Sequence, residues 1–101
     1  RTSKQSADGI NKKLLRIQKV VLLELEKVFP DGLTGSELAK RTDRNLLTIR
    51  PRTTELKLLG LITDTETTRK NDGGKPEIVY KLRAKDIVKY VEYYGLQKYQ
   101  K

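Results

Sequence analysis

Residues 34–82 constrain the fold most, because two short helical patterns are followed there by a strand pattern broken at glycine. The first helix begins with a capping box, in which the Thr34 hydroxyl accepts a backbone N–H and Glu37 reaches back to the N–H of Thr34. This helix is expected to be short. Residues 42–45 read Thr-Asp-Arg-Asn, whose side chains bond their own backbone and favour a turn.

The second helix is positioned by Pro51, which lacks an N–H and is best tolerated in a first helical turn. We therefore predict Thr48 as its N-cap. At about 100° per residue, such a helix has one buried and one exposed face. The buried face holds Ile49, Thr53, Leu56 and Gly60, with Arg52 and Leu59 on its flank; the exposed face holds Arg50, Pro51, Thr54 and Leu58.

A β-hairpin is predicted after Gly60, which is a typical residue for a helix C-terminus. Residues 61–68 are rich in threonine, as is typical of a half-exposed strand. The sequence 71–74, Asn-Asp-Gly-Gly, supplies residues that adopt positive φ in a turn. Pro76 favours an edge strand or the end of a strand. The return strand alternates, with Ile78, Tyr80 and Leu82 on one side and Val79, Lys81 and Arg83 on the other.

The segments 34–41, 49–56 and Leu58-Leu59-Gly60-Leu61-Ile62 resemble winged helix-turn-helix domains, such as multiple-antibiotic-resistance-type repressors and small phage or prokaryotic DNA-binding proteins. The resemblance implies an α+β, mostly helical fold with a three-helix core, a β-hairpin wing and an extra C-terminal helix. It implies that the second helix of the pair enters the major groove and that the wing touches the DNA backbone or the minor groove. The DNA contacts predicted on this basis are Thr48, Arg50, Pro51, Arg52, Thr54 and Lys57 on the helix, Arg44 before it, and Arg69, Lys70 and Lys75 in the wing.

Helices are also expected on both sides of this segment. Residues 10–29 carry apolar side chains at helical spacing, with Asp8 or Asn11 as the cap and residues 30–32, Pro-Asp-Gly, as the end. A second pattern runs from Ala84 to about Gln97. We predict three parts: a flexible basic arm at 1–9, the winged domain at 10–83, and a C-terminal helix at 84–101. This last helix would pack either on the domain or on a second copy of the chain, and both arrangements remain open.

Composition restricts the function classes. A chain of 101 residues is expected to form one domain. It has no cysteine and no histidine, so it offers no disulfide, no thiolate metal site and no histidine base. The longest apolar run, residues 20–23, is too short for a membrane span, and no signal-peptide pattern begins the chain. We predict no enzyme activity, no cofactor and no metal, and a cytoplasmic, nucleoid-associated or, in a eukaryote, nuclear location.

The net charge of +9 is unevenly distributed along the chain. Residues 1–19 carry six basic and one acidic side chain, residues 34–60 six and three, and residues 69–85 six and two. The excess therefore lies in the N-terminal segment, the helix pair and the wing, which a winged helix directs toward phosphates.

The sequence predicts specific binding of double-stranded DNA by a transcriptional regulator, phage- or plasmid-encoded and dimeric through its first and C-terminal helices. The main alternative is a protein-interaction module of replication or recombination, for which Leu47 and Leu58 would provide apolar contacts. RNA binding is a third option, without a visible aromatic stacking platform. A Mg²⁺-dependent nuclease would require Asp64, Glu66 and Glu77 with Lys75, on a surface without an enclosed cleft.

Overall fold

The structure is a computed structural model that describes residues 14–94. Its elements in chain order are α1 (Arg16–Val28), α2 (Gly35–Thr42), α3 (Leu46–Leu58), β1 (Ile62–Lys70), β2 (Pro76–Leu82) and α4 (Ile87–Tyr94). The strands form an antiparallel hairpin, and the first three helices pack against one another and against its base. The predicted α+β winged helix-turn-helix fold with an additional C-terminal helix is therefore confirmed.

Helix α1 begins at Arg16, so the predicted continuous helix over residues 10–29 is wrong. Leu15 is extended, with φ −69° and ψ 153°, and its N–H donates to the Gln18 side chain at 2.9 Å. That bond satisfies a donor at the helix start and thereby defines the boundary. The candidate caps Asp8 and Asn11, the basic arm 1–9 and the segment 95–101 lie outside the described residues.

Helix α2 has the predicted start and end. The Thr34 hydroxyl accepts the Glu37 N–H at 3.1 Å, and the Thr34 N–H donates to Glu37 Oε1 at 2.9 Å, so the capping box is confirmed. Asp43 ends the helix in the left-handed region with φ 57°. Asparagine and aspartate tolerate that region better than most residues, which explains why the turn follows Thr42.

The predicted N-cap of α3 is wrong. Asn45, rather than Thr48, caps the helix, and its side chain accepts the Leu47 N–H at 2.7 Å. Pro51 therefore lies inside the helix, where it has no N–H to donate to the Leu47 carbonyl. The short side chain of Asn45 can bond the first free amides directly, so the helix begins three residues earlier than the proline suggests.

The hairpin contains an irregularity that alternation alone does not predict. Asp64 pairs with Tyr80 and Thr68 with Ile78, so residues 65–67 of β1 lie opposite Val79 alone. Glu66 within this bulge has φ 64°, and its N–H donates to Asp64 Oδ1 at 2.6 Å. Beyond the bulge the wing extends past the core, and Ile78 is 39% exposed.

The core is formed by leucine, isoleucine and valine side chains from all four helices and from the base of the hairpin. Leu33 extends the sheet on the other side of β2: its N–H donates to the Tyr80 carbonyl at 2.8 Å and its carbonyl accepts the Tyr80 N–H at 2.9 Å. Helix α4 begins at Ile87 rather than at the predicted Ala84. Its buried residues Ile87, Val88 and Val91 join the core of their own chain, and Lys19 of α1 forms an ion pair with Glu92.

Candidate nucleic-acid interface

Helix α3 turns one face into the core and presents the other to solvent. Ile49, Thr53 and Leu56 are buried, at 0%, 4% and 0% exposure, as predicted. The opposite face is uncovered by the rest of residues 14–94 and includes two large apolar side chains, Leu47 at 74% and Leu58 at 81% exposure. The helix pair and the predicted orientation of α3 are therefore confirmed. The predicted DNA-contacting residues Thr48, Arg50, Pro51, Thr54 and Lys57 are all exposed on this helix.

Arg50 lies at the edge of this face, beside the wing. It lines a shallow cleft between α3 and β2 together with Thr54, Glu77 and Ile78. Within the described part of the chain, the Arg50 guanidinium forms no hydrogen bond or salt bridge, although its charge acts on Glu77. An exposed guanidinium without a carboxylate partner retains its donors for a ligand.

Glu77 attaches the wing to α2. Its carboxylate accepts the Ser36 N–H at 2.9 Å, the Ser36 hydroxyl at 2.5 Å and the Asn71 side-chain amide at 2.6 Å. Burial alone would raise the pKa of Glu77, but the bonds from Ser36 and Asn71, together with the nearby charge of Arg50, hold that pKa below its usual value. The carboxylate therefore joins the first turn of α2, the turn of the hairpin and strand β2.

Two ion pairs reinforce the same attachment. Arg69 of β1 forms an ion pair with Glu37, which is also part of the capping box of α2. Lys40 of α2 forms a second ion pair, with Asp72 at the hairpin turn. Burial by itself would raise the pKa of Glu37, but the bonds from Arg69 and Thr34 outweigh it and lower that pKa. Because each pair links the wing to α2, the wing is placed at a defined position beside the helix pair rather than projecting freely.

Three of the seven predicted cationic contacts have carboxylate partners in the same chain. Arg69 is one of them. Arg52 donates to Glu55 at 2.8 Å, and Glu55 in turn accepts the Gln18 side-chain amide at 2.9 Å, which connects α3 to α1. The ammonium of Lys57 lies 3.9 Å from the Asp64 carboxylate. These three cationic side chains therefore take part in ion pairs that stabilise the fold.

The other four predicted cations, Arg44, Arg50, Lys70 and Lys75, form no salt bridge within residues 14–94. Lys70 and Lys75 are exposed on either side of the hairpin turn and line a groove with Ser36 and Lys40 of α2. Arg44 lies half-buried in the turn between α2 and α3. These four unpaired cations lie in the wing, on α3 and in the turn before α3, and their contacts with DNA remain predictions.

Residues important for the geometry were missed by sequence reasoning. Glu77 appears in the sequence analysis only as a nuclease carboxylate, because no local pattern marks its contact with Ser36, 41 residues away. No sequence pattern marks Gln18, because nothing in an amphipathic pattern distinguishes a polar side chain that reaches a second helix from one that faces solvent. The sequence predicts Asn45 in the turn, although asparagine is among the most favoured N-cap residues.

No group of three or more aspartate and glutamate side chains in residues 14–94 is placed to hold a metal ion. Glu77 is occupied by Ser36 and Asn71, and Asp64 by the Glu66 N–H, so the carboxylates considered for a nuclease do not converge. Within the same residues, none of the helices has the length and apolar character needed to cross a membrane.

Comparison with known proteins supports this fold. No protein-family model and no curated protein sequence matches the chain. Among solved structures, the chain is similar to a protein from Methanosarcina mazei Go1 named "possible transcriptional regulator", with a TM-score of 0.64 and 13% sequence identity. The similarity covers 98% of this chain and 80% of the other. The chain therefore shares its overall fold with this protein.

Proposed function

We propose that the protein binds double-stranded DNA sequence-specifically and acts as a transcriptional regulator. The observation that carries this proposal is the uncovered face of α3, which is directed away from the core and flanked by unpaired cations. A major groove admits an α-helix, and the second helix of such a pair is the one that enters it. The printed name of the similar protein from Methanosarcina mazei Go1, "possible transcriptional regulator", is consistent with a regulatory role.

In the proposed complex, different residues supply affinity and specificity. Lys70 and Lys75 at the hairpin turn, with Arg44 before α3, would neutralise backbone phosphates. Arg50 is the candidate for a base contact, because a guanidinium can bond guanine O6 and N7 together. Since the Glu77 attachment places the wing beside α3, both sets of contacts would form in a single docking orientation.

The test begins with selection of bound duplexes from a random pool, followed by gel-shift titration of the selected and scrambled sequences at several salt concentrations. With about three phosphates neutralised per protomer, by Arg44, Lys70 and Lys75, the logarithm of the affinity should fall with the logarithm of the salt concentration at a slope of roughly −2.7. A selected duplex that binds no better than a scrambled one would exclude sequence-specific recognition.

Two variants separate the roles of the cations. Arg50→Ala should weaken the selected duplex by about 1–3 kcal/mol and relax its sequence preference. A Lys70→Ala/Lys75→Ala double variant should weaken selected and scrambled duplexes alike and reduce the magnitude of the salt slope by about 2. If Arg50→Ala instead weakens both duplexes equally, Arg50 is a phosphate contact.

Homodimerisation remains part of the proposal. The described part of α4 covers α1 of its own chain, so a dimer would use surfaces other than the buried face of Ile87, Val88 and Val91. A two-fold-symmetric protein binds two half-sites separated by about one helical turn of DNA. The selected sequences should then be palindromic, and sedimentation at high micromolar protein concentration should show a dimer. A monomer there would contradict this part.

A second candidate function, a protein-interaction module, is supported by the exposure of Leu47 and Leu58. Exposed leucines on one helix face are typical of a surface that buries them on association. A protein of this kind would show no preferred duplex in the selection experiment, which distinguishes it from the regulator.

A further inference from the structure

The exposed face of α3 has an uncharged centre. At about 100° per residue, Leu47, Pro51, Thr54 and Leu58 recur at intervals of four, three and four residues and form one stripe along the helix. This stripe lies directly opposite the buried Ile49, Thr53 and Leu56. We call it the apolar stripe of α3.

The cations of α3 lie beside this stripe rather than within it. Arg50 and Lys57 are rotated by roughly 70–90° from the stripe toward the wing, where Arg50 lines the cleft with Glu77 and Lys57 approaches Asp64. On the other side, Arg52 is held by Glu55. The residues that project farthest from the domain, and would enter a groove most deeply, are therefore two leucines, a proline and a threonine.

We propose that Leu47, Pro51 and Thr54 recognise thymine bases through their 5-methyl groups, an inference that rests on the proposed DNA binding. The C5 methyl of thymine is the apolar group that a base pair presents in the major groove. Other base edges present donors and acceptors there, and leucine or proline pressed against them would leave those groups without hydrogen bonds. A stripe of this composition therefore matches thymine and disfavours guanine and cytosine edges.

The dimensions of the stripe agree with this assignment. Leu47 and Thr54 are seven residues apart, which corresponds to a rise of about 10.5 Å along an α-helix. Successive base pairs are separated by about 3.4 Å, so this half of the stripe spans about three base steps. The N-terminal residues of a recognition helix make the base contacts in helix-turn-helix proteins. Leu58, a further turn along, lies beyond them.

Charge complementarity favours a duplex over an apolar protein surface as the occupant of the stripe. Arg50 and Lys57 border the stripe, and Lys70 and Lys75 extend the positive charge into the wing. The complementary surface is thus a narrow apolar strip with an anionic border on the side of the wing. A thymine-containing major groove beside a phosphate backbone has this pattern, whereas a protein partner would need a row of acidic residues along that side of a hydrophobic ridge.

The test uses the duplex recovered by selection, with each thymine in turn replaced by deoxyuridine, which removes only the methyl group. Each contacted methyl should contribute about fourfold to the affinity, from about 0.8 kcal/mol per buried carbon. Replacement of two contacted thymines together should therefore weaken binding by roughly 15-fold. All titrations are made at one salt concentration, because phosphate contacts change with salt.

Leu47→Ala and Leu58→Ala form a matched pair, because both leucines are exposed on the same stripe. Leu47→Ala should abolish the effect of deoxyuridine at one thymine, whereas Leu58→Ala should leave it unchanged. Circular dichroism and thermal melting should show that both variants are folded. Equal loss of discrimination in both variants would overturn the assignment.

The outcomes separate this inference from the proposed function. If the wild-type protein prefers its selected duplex but binds every deoxyuridine version within twofold, thymine recognition is overturned and sequence-specific DNA binding stands. If no duplex is preferred, both fail. If both alanine variants retain full DNA discrimination but lose binding to another protein, the apolar stripe is a protein-binding surface and the inference is overturned.

Discussion

Replacement of Glu77 by alanine removes the carboxylate that joins the wing to α2. In the wild-type protein this group accepts two hydrogen bonds from Ser36 and one from the side chain of Asn71. Hydrogen bonds to a charged group contribute roughly 1.5–3 kcal/mol each, and bonds that share one acceptor are not additive. Because Glu77 is partly exposed, water can replace part of the hydrogen bonding that Ser36 and Asn71 lose. We expect Glu77→Ala to lower the free energy of unfolding by about 2–3 kcal/mol.

The assay is urea denaturation followed by circular dichroism at neutral pH, with Asp72→Ala as the matched control. Asp72 lies in the same hairpin turn and forms an ion pair with Lys40, but its side chain is 83% exposed. An exposed ion pair contributes little, with typical values of about 0–1 kcal/mol. The control should therefore change the free energy of unfolding by less than about 1 kcal/mol, although both variants remove one negative charge from the same end of the molecule.

The pH dependence provides a second readout of the same prediction. The folded-state pKa of Glu77 is lowered, so its stabilising contribution is complete above the unfolded-state pKa, near 4.5, and is lost as the pH falls through the folded-state value. The difference in stability between wild type and Glu77→Ala should be constant above about pH 5.5 and should shrink on acidification below that pH. A difference below about 0.5 kcal/mol at neutral pH, or one that grows on acidification, would refute the role assigned to Glu77.

The remaining predictions concern local backbone chemistry, and denaturant unfolding measures each. Pro51→Ala should raise the free energy of unfolding by about 1–3 kcal/mol, because alanine restores an N–H opposite the Leu47 carbonyl; an unchanged value would show that the helix already compensates for the missing bond. Asn45→Ala should lower the free energy of unfolding by about 1 kcal/mol, because the N-cap bond at 2.7 Å is lost. A decrease below about 0.3 kcal/mol would contradict a stabilising role for this N-cap. Gly32→Ala should lower the free energy of unfolding by about 1–3 kcal/mol, because an added Cβ would clash with the Tyr80 carbonyl oxygen. An unchanged free energy of unfolding would show that the backbone pairing of Leu33 with Tyr80 can shift to make room.

The sequence predicts elements whose signal is local and complete within a few residues. The capping box at Thr34 and Glu37 is such a signal, because both partners lie within one helical turn. The glycine turn of the hairpin and the buried face of α3 are read equally directly from turn chemistry and helical periodicity. Together with the resemblance of residues 34–62 to winged helix-turn-helix domains, these features predict the fold.

Contacts between elements distant in the chain could not be predicted in the same way. The Glu77 carboxylate bonds Ser36 across 41 residues, and Gln18 bonds Glu55 across 37. Nothing in either local sequence marks these partners, because a polar residue in an amphipathic helix or hairpin is equally compatible with solvent. The predicted start of α3 is wrong for a related reason: proline favours a first helical turn, but Asn45 caps the helix and α3 tolerates Pro51 on its exposed face.

Ion pairs within the chain reduce the part of the net charge that is available to a ligand. A formal charge of +9 counts every lysine and arginine equally, but Arg52, Lys57 and Arg69 are paired with carboxylates of their own chain. Each ion pair must weaken before its cation can neutralise a phosphate. These residues therefore mainly hold α3 and the wing in position. The unpaired cations, Arg44, Arg50, Lys70 and Lys75, form the part of the charge that is directly available to an anionic ligand. Under the proposed DNA binding, internal ion pairs would orient the surface, unpaired cations would attract the duplex, and Arg50 together with the uncharged centre of α3 would select the sequence.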